Sequence, residues 1–403
     1  MTSPVPESQA IAPDTHTTIF LLALAGFFGG AALRICDSLL PRIAQDFGTT
    51  PGAAGIVIIA FTVAYGFMQL VWGPLGDRYG KARVICFALF ACVATSVVCT
   101  LAPDLRTLVF TRILWGMVAA GIIPMSLAWV GDAVPYELRQ ETLSRLLFGM
   151  LTGIMAGQVT GGLFADSTLG WRGAFLTLAA GYTVVGILLF LRVRGMPATM
   201  VDPGKPRATF IAQLLSVLRR PWVRIVLVQA AVEGAFLLGV LAFVPAYLHR
   251  RFGMSLSAAS AMVGFYAVGG LVYAATARHI VRRFGERRMV LAGGIIMGAG
   301  YFAWWLLPWG LAAAPVALLV GFGTYLYHNT LQTHATQMAP ETRGTAMACF
   351  AFCLFMGQAI GVSLAGYAFD HLGRGPLLLS PAVVLPLAGW TFFRELRRRA
   401  LAA

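Results

Sequence analysis

Residues 73 to 81 read Gly73-Pro74-Leu75-Gly76-Asp77-Arg78-Tyr79-Gly80-Lys81, a short charged stretch between two long apolar runs, 51 to 76 before it and 83 to 101 after it. Each run is close to or above the roughly 20 residues that a helix needs to cross a hydrocarbon core about 30 Å thick. Hydrocarbon offers no partner for an unpaired backbone group, so the pattern predicts two membrane-crossing helices joined by a tight polar turn.

The same alternation continues in both directions. Apolar runs at 18–45, 51–76, 83–101, 105–130, 138–165, 171–192, 221–248, 256–280, 288–308, 311–337, 344–369 and 376–393 predict an all-α membrane protein of twelve transmembrane helices. Composition agrees: of 403 residues, 58% are hydrophobic and 11% charged, where soluble domains carry about 25% charged residues. Such a chain cannot cover a soluble surface.

A net charge of +14 raises the question of nucleic acid, and the placement of the charges answers it. Of the 30 Lys and Arg residues, segments on the side of the chain termini hold 22 and those on the other side 6, with Arg34 and Arg112 inside spans. Basic residues collect on the cytoplasmic side of membrane proteins, so both termini are expected in the cytoplasm of a bacterial inner membrane, with no nucleic-acid partner. Residues 1–17 contain no Lys or Arg and read as a disordered polar lead rather than a cleavable signal. The six cysteines fall inside spans at spacings that match no metal template and no disulfide framework.

Internal repetition divides the chain. Leu40-Pro41 with Phe47-Gly48 recurs as Val244-Pro245 with Phe252-Gly253, and Asp77-Arg78-Tyr79-Gly80 as Arg282-Arg283-Phe284-Gly285. Gly157-Gln158-x-x-Gly161 recurs as Gly357-Gln358-x-x-Gly361, and Leu169-Gly170-Trp171-Arg172-Gly173 as Leu372-Gly373-Arg374-Gly375. Matches in one order on one membrane side predict two pseudo-symmetric six-helix bundles, 18–192 and 221–393, with the solute at their interface. The basic, proline-containing stretch 193–220 is the expected cytoplasmic linker, in which Phe210, Leu214, Leu215 and Leu218 share one face of an amphipathic surface helix. A basic cytoplasmic tail, 394–403, follows the last span.

The stretch 73–81 resembles the Gly-x-x-x-Asp-Arg-x-Gly-Arg signature of the major facilitator superfamily, with Lys81 in place of the usual Arg. Arg112 with Gly116 and Gly121 resembles that superfamily's second motif. Gly149, Gly153, Gly157, Gly161 and Gly162 resemble its antiporter motif, except that Gln158 stands where the family has Pro. The surrounding Gln69-Leu70-x-x-Gly73-Pro74-Leu75 is most similar to the bacterial twelve-span drug and metabolite proton antiporters. The resemblance implies that Gly73, Asp77, Arg78, Gly80 and Lys81 form a conformational latch between the halves on the cytoplasmic side. Read by itself, Asp77 is also a suitable cap for the next helix. The glycine comb reads as close helix packing or, in a sharper form, as a flexible region for rocking.

Charges inside spans cost about 2.5–3.5 kcal/mol each on insertion scales, so they should face one another or a wet cavity. Arg34, Asp37, Arg112, Glu233, His328 and His334 are the ionisable residues concerned, on spans one, four, seven and ten, which the resemblance implies line the cavity. At about 1.5 Å per residue, Asp37 and Arg112 lie roughly 12 Å and 10 Å below the outer ends of their spans, and Glu233 roughly 18 Å from the cytoplasmic end of its own. Asp37 and Arg112 are therefore expected to meet, and Arg34, three residues from Asp37, offers it a static ion pair instead. Asp37, Arg112 and Glu233 are the candidates for proton coupling: burial disfavours a charged carboxylate, a nearby arginine favours it, and alternating exposure would switch the balance. A structural hydrogen-bonded role for Glu233 stands beside this.

Tyr325, His328, Asn329 and Gln332 form one polar stripe at i, i+3, i+4 and i+7 on span ten. With Arg34, Tyr65, Gln69, Gln158, Tyr266 and Gln358 they are the candidate solute-binding residues. The expected function is proton-coupled efflux of a small organic molecule by a monomer in the lipid bilayer, with proton-linked uptake or exchange of an organic anion as the alternative and a non-transporting receptor as a further one. No enzyme chemistry and no cofactor are expected, since no nucleotide loop or metal cluster occurs.

Overall fold

A computed structural model describes residues 13–194 and 210–402, and among them every regular element is helical. In the first half α1 (Pro13–Asp46), α2 (Pro51–Tyr79), α3 (Lys81–Thr100), α4 (Leu105–Ala133), α5 (Tyr136–Ala165) and α6 (Gly170–Val193) follow one another through turns of a few residues. A short α7 (Phe210–Leu218) precedes α8 (Pro221–Phe252), α9 (Leu256–Leu306), α10 (Gly310–Gln337), α11 (Pro340–Leu372) and α12 (Arg374–Ala402) in the second half. Eleven of these helices are long and apolar enough to cross a membrane.

Of the eleven, α9 is the exception in length. Its 51 residues would extend about 77 Å as one rod, more than twice a hydrocarbon core. Gly285 breaks it, with φ 68° and ψ 162°, a conformation open to glycine but costly for other residues. Gly80, its counterpart in the repeat, parts α2 from α3 with φ 86°. The two arms of α9 are thus the second-half version of the α2–α3 hairpin, and they account for the two crossings read at 256–280 and 288–308.

The lead expected at 1–17 lies outside the described residues as far as position 12; from Pro13 the chain is already helical. The linker lies outside them from 195 to 209, and the basic tail is a continuation of α12. On α7 the docked face is Leu214 and Val217, packed on the core, and Thr345 on α11 donates to Gln213 at 3.0 Å. Leu215 and Leu218 are exposed, so the apolar stripe read from the sequence is split between protein and surroundings.

Within the first half α1 packs on α5, α2 on α4 and α3 on α6; in the second, α8 packs on α11 and the arms of α9 on α10 and α12. The α1–α5 seam shows how glycine sets the distance. An added Cβ at Gly149, Gly153, Gly157 or Gly161 would overlap the carbonyl oxygen of Ala23, Phe27, Ala31 or Ile35, the same four-residue step on both helices. Gly357 and Gly361 repeat this against Ala231 and Ala235 of α8. The comb is therefore backbone-to-backbone packing inside each half, while Gly162, one residue off it, faces Ser260 of the other half.

Gly157→Ala should destabilise the protein by about 1–3 kcal/mol through overpacking, read as a lower melting temperature in detergent. Gly131→Ala, where an added Cβ meets nothing within 4 Å, should be neutral or stabilising, by up to about 1 kcal/mol.

Candidate functional site

Two helix pairs carry the contact between the halves, α5 with the first arm of α9 and α2 with α11. The face away from the chain termini, here the far face, is closed: Gly52 packs on Gly366, and Gly55 on Val362 and Phe243. Deeper, the Tyr65 ring packs tilted on Phe355 at 4.7 Å and the Phe67 ring edge-on against Phe352 at 5.0 Å. Nearer the termini, Gly73 and Gly344 each face open space. The α2–α11 contact thus loosens from the far face toward the terminal face.

Arg34 and Asp37 are buried on α1 and joined at 3.0 Å. The same Arg34 nitrogen lies 3.4 Å from the carbonyl of Leu238, in the π-helical turn Gly234–Gly239 of α8. Tyr301 donates to the preceding carbonyl, Leu237, at 2.8 Å, and that oxygen also accepts the Val240 amide. Leu238 stands 204 residues after Arg34, at the equivalent place in the repeat, so the guanidinium reaches across the pseudo-twofold axis. Gln158 and Tyr266, with Met155 and Leu241, line a narrow crevice beside Arg34.

The contact expected between Asp37 and Arg112 is not made. Arg112 is buried, but its Nε donates to Val57 at 3.5 Å and its guanidinium lies 4.1 Å from the Phe61 ring and 4.8 Å from that of Trp115. Its Nη1 and the Asp37 Oδ1 are both buried without a hydrogen-bond partner. Depth along the helices fixed their height and left azimuth open, and the aromatic wall holds the arginine by cation–π attraction.

On the other side of the interface, His328 Nδ1 lies 3.0 Å and 3.1 Å from the two oxygens of Glu233, which is buried immediately before the π turn. Asn329 donates to the hydroxyl of Tyr273 at 3.2 Å, and the Tyr273 and Tyr325 rings stack at 6.4 Å. The stripe on α10 is thus gathered against α8 and α9, with Gln332 half-buried at its end. His334 packs on Trp222 and Phe392, apart from this group. Gln358 is buried beside Gly234, and Gln69 is half-buried one turn beyond Tyr65. A further chain went unread in the sequence: Tyr327 donates to Gln229 at 2.6 Å and Gln229 to Thr391 at 3.0 Å. Tyr327 lies one residue off the stripe, so helical periodicity gave no signal for it.

In the turn 73–81, Lys81 bonds Asp132 and lies 3.7 Å from Asp77, both within the first half. Arg78 lies over the Tyr79 ring at 5.3 Å.

A profile of the Major Facilitator Superfamily matches residues 22–362. The chain is similar to "Probable transporter SCO4007" of Streptomyces coelicolor, 29% identical over 92% of this chain and 85% of the relative. It is also similar to a "Multi-drug resistance efflux pump PmrA homolog" of Lactococcus lactis, 22% identical over 95% and 96%. Among solved structures, that of a D-xylose-proton symporter has the same fold, with a TM-score of 0.75 at 16% identity over 94% of this chain and 98% of that one.

His328→Ala would strand the Glu233 carboxylate in a buried place, whereas Glu233→Gln keeps a hydrogen-bond acceptor there. The first should therefore lower the melting temperature more, by the equivalent of about 1–3 kcal/mol. Equal losses would mean that the pair adds nothing beyond packing.

Proposed function

The chain belongs to the Major Facilitator Superfamily, and we propose that it exports a small organic molecule across the inner membrane in exchange for protons, by alternating access. The observation that carries the proposal is a buried acid in each half, Asp37 beside Arg34 and Glu233 beside His328, on opposite sides of one interface. Ion pairs so placed are a poor source of stability, because desolvation offsets much of the attraction. Their retention at the interface fits a role in coupling.

Asp37 is the first proton site in this reading. Arg34 holds one of its oxygens, and the other lacks a partner; a proton there removes the cost of a half-satisfied buried carboxylate. Arg34 is the sensor of the cycle, since its bond to Leu238 spans the halves and breaks when they part. Solute occupies the space between Arg34, Gln158 and Tyr266 on one side and Tyr325, His328 and Asn329 on the other, bordered by Tyr65, Gln69, Gln332 and Gln358. The terminal face is cytoplasmic in this reading, and the Asp77 turn latches the halves there when the far face opens. Arg112, held among aromatic rings, shapes the field around Asp37 without touching it. The efflux direction draws on the Lactococcus relative's name. The unpartnered Arg112 nitrogen, together with Arg34, favours the second reading, uptake or exchange of an organic anion.

Thermal shift against cationic aromatic dyes and aromatic carboxylates should yield a stabilising solute. Added outside liposomes that contain the protein and a pH dye, that solute should raise the lumenal pH as it enters, because protons leave; a fall would establish symport. Proton–solute coupling of about 1–3 kcal/mol corresponds to about 5- to 150-fold in affinity between protonation states. Asp37→Asn should erase that pH dependence and the lumenal pH change while solute counterflow persists; an undiminished pH change would remove Asp37 from the mechanism.

A further inference from the structure

Two carboxylates join the halves at the far face, and they stand at equivalent places in the repeat. Asp166 directly follows α5, and Asp370, 204 positions later, lies in the last turn of α11. Each reaches the first turn of a helix in the opposite half. Asp166 accepts from the Leu256 amide at 3.2 Å, the Ser257 amide at 2.7 Å and the Ser257 hydroxyl at 2.5 Å. Asp370 accepts from the Gly52 amide at 3.1 Å and the Thr50 hydroxyl at 2.5 Å.

The receiving helix starts match as well. Thr50 and Ser255, 205 positions apart, are N-cap residues, and each accepts from the amide three residues on, Ala53 or Ala258. The cap thereby serves the third amide of its helix and leaves the first two unserved. At α9 both of those, Leu256 and Ser257, bind Asp166. At α2 the first residue is Pro51, which has no N–H, and the remaining amide, Gly52, binds Asp370. The first three positions of both helices are thus accounted for, with a carboxylate from the other half completing each. Gly52 makes this possible on its side, because an added Cβ would overlap the Asp370 carboxylate.

Carboxylates at a helix start combine charge-assisted hydrogen bonds with the positive end of the helix dipole. We propose that Asp166 and Asp370 are positioning residues of the transport cycle, a symmetric pair of clasps that holds the far-face gate shut by capping α9 and α2 across the two halves. The clasps join the two helix pairs that carry the contact between the halves, α5–α9 and α2–α11, so opening the far face breaks both. Partial burial works against ionisation of Asp166, but the Ser257 hydroxyl, the Ser257 and Leu256 amides and nearby His249 hold its carboxyl below the usual range, in keeping with a charged clasp. Asp46 is the contrasting carboxylate on this face: it binds Arg42 and Trp171, both of its own half.

The proposal rests on alternating access and on neither proton coupling nor the solute, so a conformational readout tests it. Leu169 and Trp309 are exposed at the far face, one in each half. Spin labels on Leu169→Cys and Trp309→Cys, in a Cys353→Ala background that leaves the five buried cysteines, report the gate as a distance distribution in nanodiscs. Asp166→Asn and Asp370→Asn should each raise the open-to-closed ratio about tenfold, and the double variant about a hundredfold, because independent contributions to one equilibrium add in free energy. Ser257→Ala and Gly52→Ala, which leave both acids in place, should move the ratio the same way, and Asp46→Asn should leave it unchanged. Two wild-type populations that none of the clasp variants moves, or an equal shift in Asp46→Asn, would overturn the clasp alone. One distance in every protein, under all conditions, would overturn the clasp and alternating access together.

Discussion

A helix that crosses hydrocarbon satisfies its own backbone except at its ends, where the first amides and the last carbonyls need partners from elsewhere. Much of the far face is built around that requirement. Arg42 donates to Ala165 and Ser167 at the end of α5, and Arg172 to Thr100 and Ala102 at the end of α3. Arg250 donates to Phe369 in α11, and Arg251 to Leu307 at the end of α9. Each of these four arginines meets a helix C-terminus, whose carbonyls and dipole favour a cation there. The acids do the converse for helix starts, across the halves. One set of interactions therefore finishes the helices, locks neighbours within each half, and joins the halves to each other.

Inside the membrane the same constraint works through exclusion. Glycine places α5 on α1 and α11 on α8 with backbone in contact, which leaves no room between these helices for solute or water. The space for chemistry lies where the seams stop. There the π turn after Glu233 presents two neighbouring carbonyls, reached by Arg34 from the other half and by Tyr301 from the same half.

The all-helical membrane architecture and the turn at 73–81 were legible because hydropathy is a one-dimensional signal. Even the hairpin within α9 was readable, since Gly285 matches Gly80. Side-chain partners were only half legible. Arg34–Asp37 follows from i, i+3 spacing on one helix, but the Glu233–His328 pair depends on how α8 and α10 are turned, so the two residues could be singled out in the sequence without the bond between them. For the same reason Arg112, at the right depth for Asp37, points instead into Phe61, Trp115 and Phe175. Asp166 and Asp370 stand at the polar ends of their helices, where an acid is ordinary, and their offset of 204 is the signal that links them.

The repeat separates what the two halves share from what each keeps to itself. Shared features include the glycine seams, the hinge glycines 80 and 285, the capped starts of α2 and α9, and the acids that reach them. Gly116 and Gly321 belong here too, packed on Phe61 and Tyr266 at the same offset. The buried charges are unshared: Arg34 corresponds to Leu238, Asp37 to Leu241, and Arg112 to Ala317. A rocking motion about a pseudo-twofold axis requires matched surfaces on both halves, because each must part and reclose along equivalent lines. The buried ionisable groups are arranged differently, Arg34 and Asp37 both on α1 of the first half and Glu233 and His328 on α8 and α10 of the second. Symmetry in the backbone contacts thus stands beside asymmetry in the charges: small residues and caps recur across the repeat, while the buried ionisable positions diverge.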